Sequence, residues 1–258
     1  MFENKKPKFE MGKILKIDML ECLSNYPRDF IDIYYKNYSD GIIEGCNITI
    51  SDNFISLNKG IVKYNGNIYM LNNEEKLKYE CNNKYMIIKI RFFEPKEQDN
   101  FEFRMSEIVL EDNLEINYNE MEICRFKLRE GARLRDDYVD FTDFSTEFDT
   151  VDIINAPYAG ISGKTLSPQI TSEFGRELLN LNLEDPYDIS FAFMLIQNRE
   201  LIEKEAITAY IRKKISIMDK ELSNDEMYKY LLQILNTIKN NGDSIGMRSG
   251  RRRKILLD

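Results

Sequence analysis

The stretch that decides the fold runs from Tyr35 to Leu71, YYKNYSDGIIEGCNITISDNFISLNKGIVKYNGNIYML. Short apolar runs alternate there with Gly and Asn at the spacing of an all-β region. Asn47 to Ile50, Phe54 to Leu57, Ile61 to Tyr64 and Asn67 to Leu71 therefore read as four short strands. The turns between them are Ser51-Asp52-Asn53, Asn58-Lys59-Gly60 and Asn65-Gly66. Both residues of the last turn tolerate positive φ, which predicts a type I′ hairpin. Further strands follow at Lys84 to Phe93, Phe101 to Glu111 and Glu120 to Leu128, with Pro95 and the polar run to Asn100 as a break.

Upstream, residues 1–24 read as an arm, and Pro27 to Tyr38 reads as a helix with Pro27 in its first turn and an end at Asp40-Gly41. Downstream, Asp136, Asp137, Asp140, Asp143, Glu147, Asp149 and Asp152 interleave with Phe141, Phe144 and Phe148, without a base among the acids. Residues 131–170 are expected to form an extended acidic linker, kept irregular by Pro157, Gly160, Gly163 and Pro168. From Ser172 to Asn240 the period becomes helical, with three or four helices broken at Pro186 and near Ser223. Ser223-Asn224-Asp225-Glu226 is a capping box. In the helix before it, Ile207, Ile211, Ile215 and Met218 form one stripe, and Ile202, Ala206, Ala209 and Tyr210 form another. Tyr228, Leu231, Leu235 and Ile238 repeat at three- and four-residue spacing, the seam of a bundle or of a contact with a partner. The fold class is α+β: a helix and a sandwich-like antiparallel β module over 25–130, the linker, a small helical domain over 171–241, and a basic tail over 242–258.

The chain has 258 residues, 43% of them hydrophobic, enough for a substantial core. A net charge of −8 argues against a surface that clings throughout to nucleic acid or anionic lipid. Histidine is absent, which removes Ser-His and Cys-His pairings and most zinc sites. Cys22, Cys46, Cys81 and Cys124 lie far apart and read as reduced, buried apolar residues. The first twenty residues intersperse Lys5, Lys6, Lys8, Lys13 and Lys16 with acids and build no export signal. The run Phe191 to Ile196 is far too short to span a membrane. A soluble product made in the cytoplasm is expected.

Three features invite chemistry. Gly160-Ile161-Ser162-Gly163-Lys164-Thr165 suggests a phosphate loop, but Tyr158 stands where the first glycine belongs, and Leu166-Ser167-Pro168 interrupts the helix that should hold the phosphate. The acidic stretch offers many hard oxygens but lacks the spacing of a calcium loop. Arg251, Arg252 and Arg253 could contact an acidic partner or nucleic acid. The alternative function is accordingly a nucleotide-dependent or nucleic-acid-binding enzyme built on Gly163-Lys164-Thr165 and the arginine tail. The residues name no catalytic group, metal ligand or cofactor site. The contacts assigned to partners are Tyr228, Leu231, Leu235, Ile238, Arg251, Arg252 and Arg253.

The helix, the Asp40-Gly41-hydrophobic-hydrophobic-x-Gly45 run, the strands around Gly60 and the turn at Gly66 together resemble the N-terminal attachment region of phage tail-fibre and baseplate proteins, found also in R-type bacteriocins. The resemblance covers Tyr35 to Leu71. It implies a structural, non-enzymatic subunit of a contractile tail, a baseplate or tail-fibre adaptor present in several copies. Such a subunit would bind other tail proteins and itself through sheet edges and helix faces, without a cofactor, a membrane or nucleic acid.

Overall fold

The computed structural model describes residues 1–80, 83–99, 101–197, 201–217 and 220–249, with side chains described as far as residue 240. The chain is α+β: an N-terminal helix, largely antiparallel sheets, then helices. The first helix, α1, covers Ile17–Tyr34. It begins well before Pro27, which sits inside it. Proline withdraws one backbone donor without ending the apolar repeat that continues on both sides of it.

Strands β1 (Gly41–Gly45), β2 (Ile48–Ser51), β3 (Phe54–Leu57), β4 (Gly60–Tyr64), β5 (Asn67–Leu71) and β6 (Glu75–Lys78) follow. Next come β7 (Tyr85–Phe92), the short hairpin β8 (Lys96–Gln98) and β9 (Phe101–Phe103), β10 (Ser106–Glu111) and β11 (Glu120–Lys127). The expected hairpins β2–β3 and β4–β5 form, the latter over Asn65 and Gly66 with φ of 47° and 74°. Between β3 and β4 the chain changes sheet. β3 pairs with β6, whereas β4 pairs with β1, and the order in the larger sheet is β13-β12-β1-β4-β5, where β12 is Tyr158–Gly160 and β13 is Gly163–Thr165. Gly45 makes the crossing feasible: its φ is +70°, and a Cβ there would stand 2.2 Å from the Lys59 carbonyl oxygen. In the sheet β10-β7-β11 the central strand buries Ile87, Ile88, Lys89 and Ile90 in succession, so both its faces are covered. Tyr64 of β4 stacks on Phe92 of β7 with ring centroids 4.0 Å apart, which ties the two sheets together.

The acidic stretch is not an extended linker. Phe141–Ser145 is a 3-10 helix, and β12 (Tyr158–Gly160) and β13 (Gly163–Thr165) join the larger sheet, β12 lying parallel to β1. Phe141 and Phe144, three apart on one side of that turn, are buried along with Val151 and Ile154. The acids find bases that lie outside the run of carboxylates. Arg129 donates to Asp149 and Arg135 to Asp143, while Asp136 accepts from the Ile50 amide at 2.9 Å.

Among the described residues four helices follow: α2 (Pro168–Leu179), α3 (Pro186–Gln197), α4 (Lys204–Lys214) and α5 (Asn224–Ser249). The capping box starts α5 as expected. The Ser223 amide donates to Glu226 at 3.0 Å, and the Glu226 amide donates to the Ser223 hydroxyl at 3.2 Å. Of the two α4 stripes, Ile202, Ile207, Tyr210 and Ile211 are buried, Ala209 is exposed, and Met218 lies outside the described residues. One apolar cluster includes Ile42 of β1, Phe141, Phe174 of α2 and Leu235 of α5.

Candidate interaction surface

Among the described helices α1 stands apart, because none of its residues is buried. Leu23 is 50% exposed, Phe30 61% and Ile33 75%, and Leu20, Tyr26 and Tyr34 are open to solvent as well. At 100° per residue these side chains fall on one side of the helix, with Asp18, Glu21, Asn25, Arg28 and Asp32 on the other. Such an amphipathic pattern ordinarily forms by burying its apolar side, and within this chain that side meets water. Before the helix, Phe2, Phe9, Met11 and Ile14 are also exposed.

The base of α1 is held firmly. Its last turn contains no basic residue, and the positive charge comes from Lys63 of β4, only 6% exposed. Its Nζ donates to the carbonyls of Tyr35 at 2.7 Å, Lys36 at 3.2 Å and Tyr38 at 2.7 Å. These carbonyls close and follow the helix, where unpaired acceptors and the negative end of the dipole favour a cation. Tyr34, Tyr35 and Tyr38 pack ring against ring around the same exit. The Ser39 amide donates to Gly160 and the Ile42 amide to Pro157, which sets the start of β1 beside β12. Beside α1 runs a groove of about 560 Å³, lined by Arg28 and Ile31 of the helix, Met70 of the edge strand β5, and Phe101 and Arg104 at the small hairpin.

The residues singled out in the sequence lie elsewhere. Tyr228, Leu231 and Leu235 are buried inside the chain and Ile238 is half-buried against the same cluster, so this seam closes on its own chain and presents no surface to a partner. The Tyr228 hydroxyl donates to the Phe141 carbonyl at 2.6 Å, which joins α5 to the stretch read as a linker. Arg251, Arg252 and Arg253 lie outside the described residues. Cys46 and Cys124 are buried free thiols, Cys22 on α1 is half-buried, and Cys81 lies outside the described residues.

Gly163-Lys164-Thr165 is the second strand of an antiparallel hairpin and opens no helix. The amides of Ile161 and Ser162, which a phosphate would need, donate to the Glu203 carboxylate at 3.1 and 2.9 Å, and the Ser162 hydroxyl joins them at 2.9 Å. Burial of Glu203 opposes its charge, but these donors outweigh it and hold the carboxyl below its ordinary range. A cleft of about 820 Å³ opens nearby, lined in part by Lys164, Lys204, Glu120, Glu221 and Glu226. Its charges are largely matched: Lys204 with Glu221 at 2.8 Å, Glu226 with Lys220 at 2.5 Å, Glu120 with Arg91 at 2.8 Å. Among the described residues no group of three His, Cys, Asp or Glu could hold a metal ion, and no helix is long and apolar enough to cross a membrane.

No protein-family model matches the chain, and no curated protein matches it. Among solved structures the chain is similar to the crystal structure of TssK, over 98% of this chain and 70% of that one, with a TM-score of 0.41 and 10% identity. A likeness at that level assigns neither a family nor an activity.

Proposed function

We propose that this chain is a structural subunit of a phage-like contractile tail, a baseplate or tail-fibre adaptor that joins neighbouring components and works by association alone. The observation that carries the reading is α1, an 18-residue amphipathic helix with no buried residue and an apolar side turned to water. A side of that kind is built to be covered. The resemblance of Tyr35 to Leu71 to tail-fibre attachment regions supports the same reading, and α1 leads directly into that stretch. Its neighbours would be other baseplate or tail-fibre proteins and further copies of itself, assembled into a particle after synthesis in a bacterial cytoplasm.

The test is to purify intact tail particles from a producing strain and measure by mass spectrometry whether the chain is a stoichiometric component. Replacing Leu23 and Phe30 with aspartate is expected to leave a folded chain that no longer enters particles. Absence of the native chain from purified particles would reject the proposal.

A further inference from the structure

We infer that the apolar side of α1 is covered by α1 of a second copy of this chain. The inference rests on the assembly reading and names the partner of the surface described above. Met19, Leu23, Tyr26, Phe30 and Ile33 succeed one another at intervals of four, three, four and three. That averages about 3.5 residues, the repeat that keeps a seam facing a neighbouring helix of the same kind. Leu20 and Tyr34 lie beside this seam and broaden it. Each of these side chains except half-buried Met19 is exposed.

The charges agree with a self-complementary contact. No charged residue occupies a seam position. Asp18, Glu21, Arg28 and Asp32 point to the far side, and Asp29 stands at one flank. Two copies laid seam to seam would bury no unpaired charge, which is the usual obstacle to an isologous contact.

The area agrees as well. From their fractional exposures, Leu20, Leu23, Tyr26, Phe30, Ile33 and Tyr34 leave on the order of 800 Å² in water, about what each partner contributes to a standard interface. This exceeds the roughly 300–600 Å² of the largest apolar patch on a typical monomer. A lipid surface fits less well, because the polar side of α1 carries three acids, Asp18, Glu21 and Asp32, against Arg28 alone, where a membrane-surface helix carries lysine and arginine.

The experiment measures the mass of the full chain by size-exclusion chromatography with light scattering across micromolar concentrations. A multiple of 30.5 kDa is expected. Leu23→Asp with Phe30→Asp should return the mass to that of one chain while the far-ultraviolet circular dichroism of the body and its unfolding midpoint stay unchanged. In a second measurement Tyr26→Cys, at the midpoint of the seam and so facing itself whichever way the two helices run, should form a disulfide between copies under mild oxidation, and Asp32→Cys on the polar side should not. A monomer at every concentration, an oligomer that survives both aspartates, or equal crosslinking from both cysteines would overturn the inference. So would binding of the monomeric chain to phosphatidylglycerol vesicles that the aspartates abolish. A chain that is monomeric yet present in purified particles would sink this inference and leave the assembly reading standing. A self-associating chain absent from particles would do the reverse.

Discussion

The ammonium nitrogen of Lys63 lies 2.7 Å from the carbonyl oxygen of Tyr35, so a lysine buried in β4 completes a helix whose own last turn has no cation. Lys63→Met keeps the aliphatic stem and removes all three donations to the end of α1. A loss of about 2 kcal/mol is expected, as for hydrogen bonds to a charged group. Urea unfolding should show a lower midpoint with an unchanged slope. Hydrogen exchange should quicken around residues 35–38, and no change in exchange there would contradict the anchoring role.

The bond from Tyr228 to Phe141 fastens the last helix to the acidic stretch. Tyr228→Phe should cost about 1 kcal/mol. Leu235→Asp puts a carboxylate where the side chain is fully buried and should cost more than about 4 kcal/mol, enough to prevent folding. A soluble, native-like Leu235→Asp chain would show that this seam is not internal.

Glu203 occupies the turn that a phosphate would have to enter. Glu203→Ala strips acceptors from two amides and a hydroxyl and should destabilise the β12–β13 hairpin by about 2 kcal/mol. Isothermal titration of ATP into the native chain should show no saturable heat. Saturable binding that Lys164→Ala abolishes would restore the phosphate-loop reading.

Burial raises the carboxyl of Asp152 from 3.8 to about 6, against the pull of the Ile154 amide and Arg125. The folded chain therefore holds a proton that the unfolded chain releases, and this contribution to stability is full below about 4 and lost as pH rises to about 6. Two pH units correspond to about 3 kcal/mol. Asp152→Asn keeps the acceptor for the Ile154 amide and removes the titration. The variant should gain stability over the native chain as pH rises through that window, measured as the difference in urea midpoints. A constant difference would refute the assignment.

What the sequence disclosed was local. The hairpins at Ser51-Asp52-Asn53 and Asn65-Gly66 and the capping box at Ser223 were legible because turn and cap chemistry act over a few residues. β1, β12 and β13 went unread, being short strands whose partners are distant in sequence and whose edges carry no alternation of their own. The acids around Phe141 and Phe144 hid the 3-10 turn that carries both rings inward, since charge counts do not report backbone conformation. The seam at Leu231 and Leu235 announced burial but not whose surface would bury it. For α1 the signal was present from Met19 to Ile33. Reading Pro27 as a beginning cut it in half, so the interaction surface was divided between an arm and a helix.

The parallel pairing of Ile42 with Tyr158 has a consequence for biosynthesis. The ribosome must emit more than a hundred further residues before β1 finds that neighbour, on the order of ten seconds at ordinary elongation rates. Until then the exit of α1 lacks the Gly160 carbonyl that receives the Ser39 amide, so the base of the helix is set in place only late in synthesis.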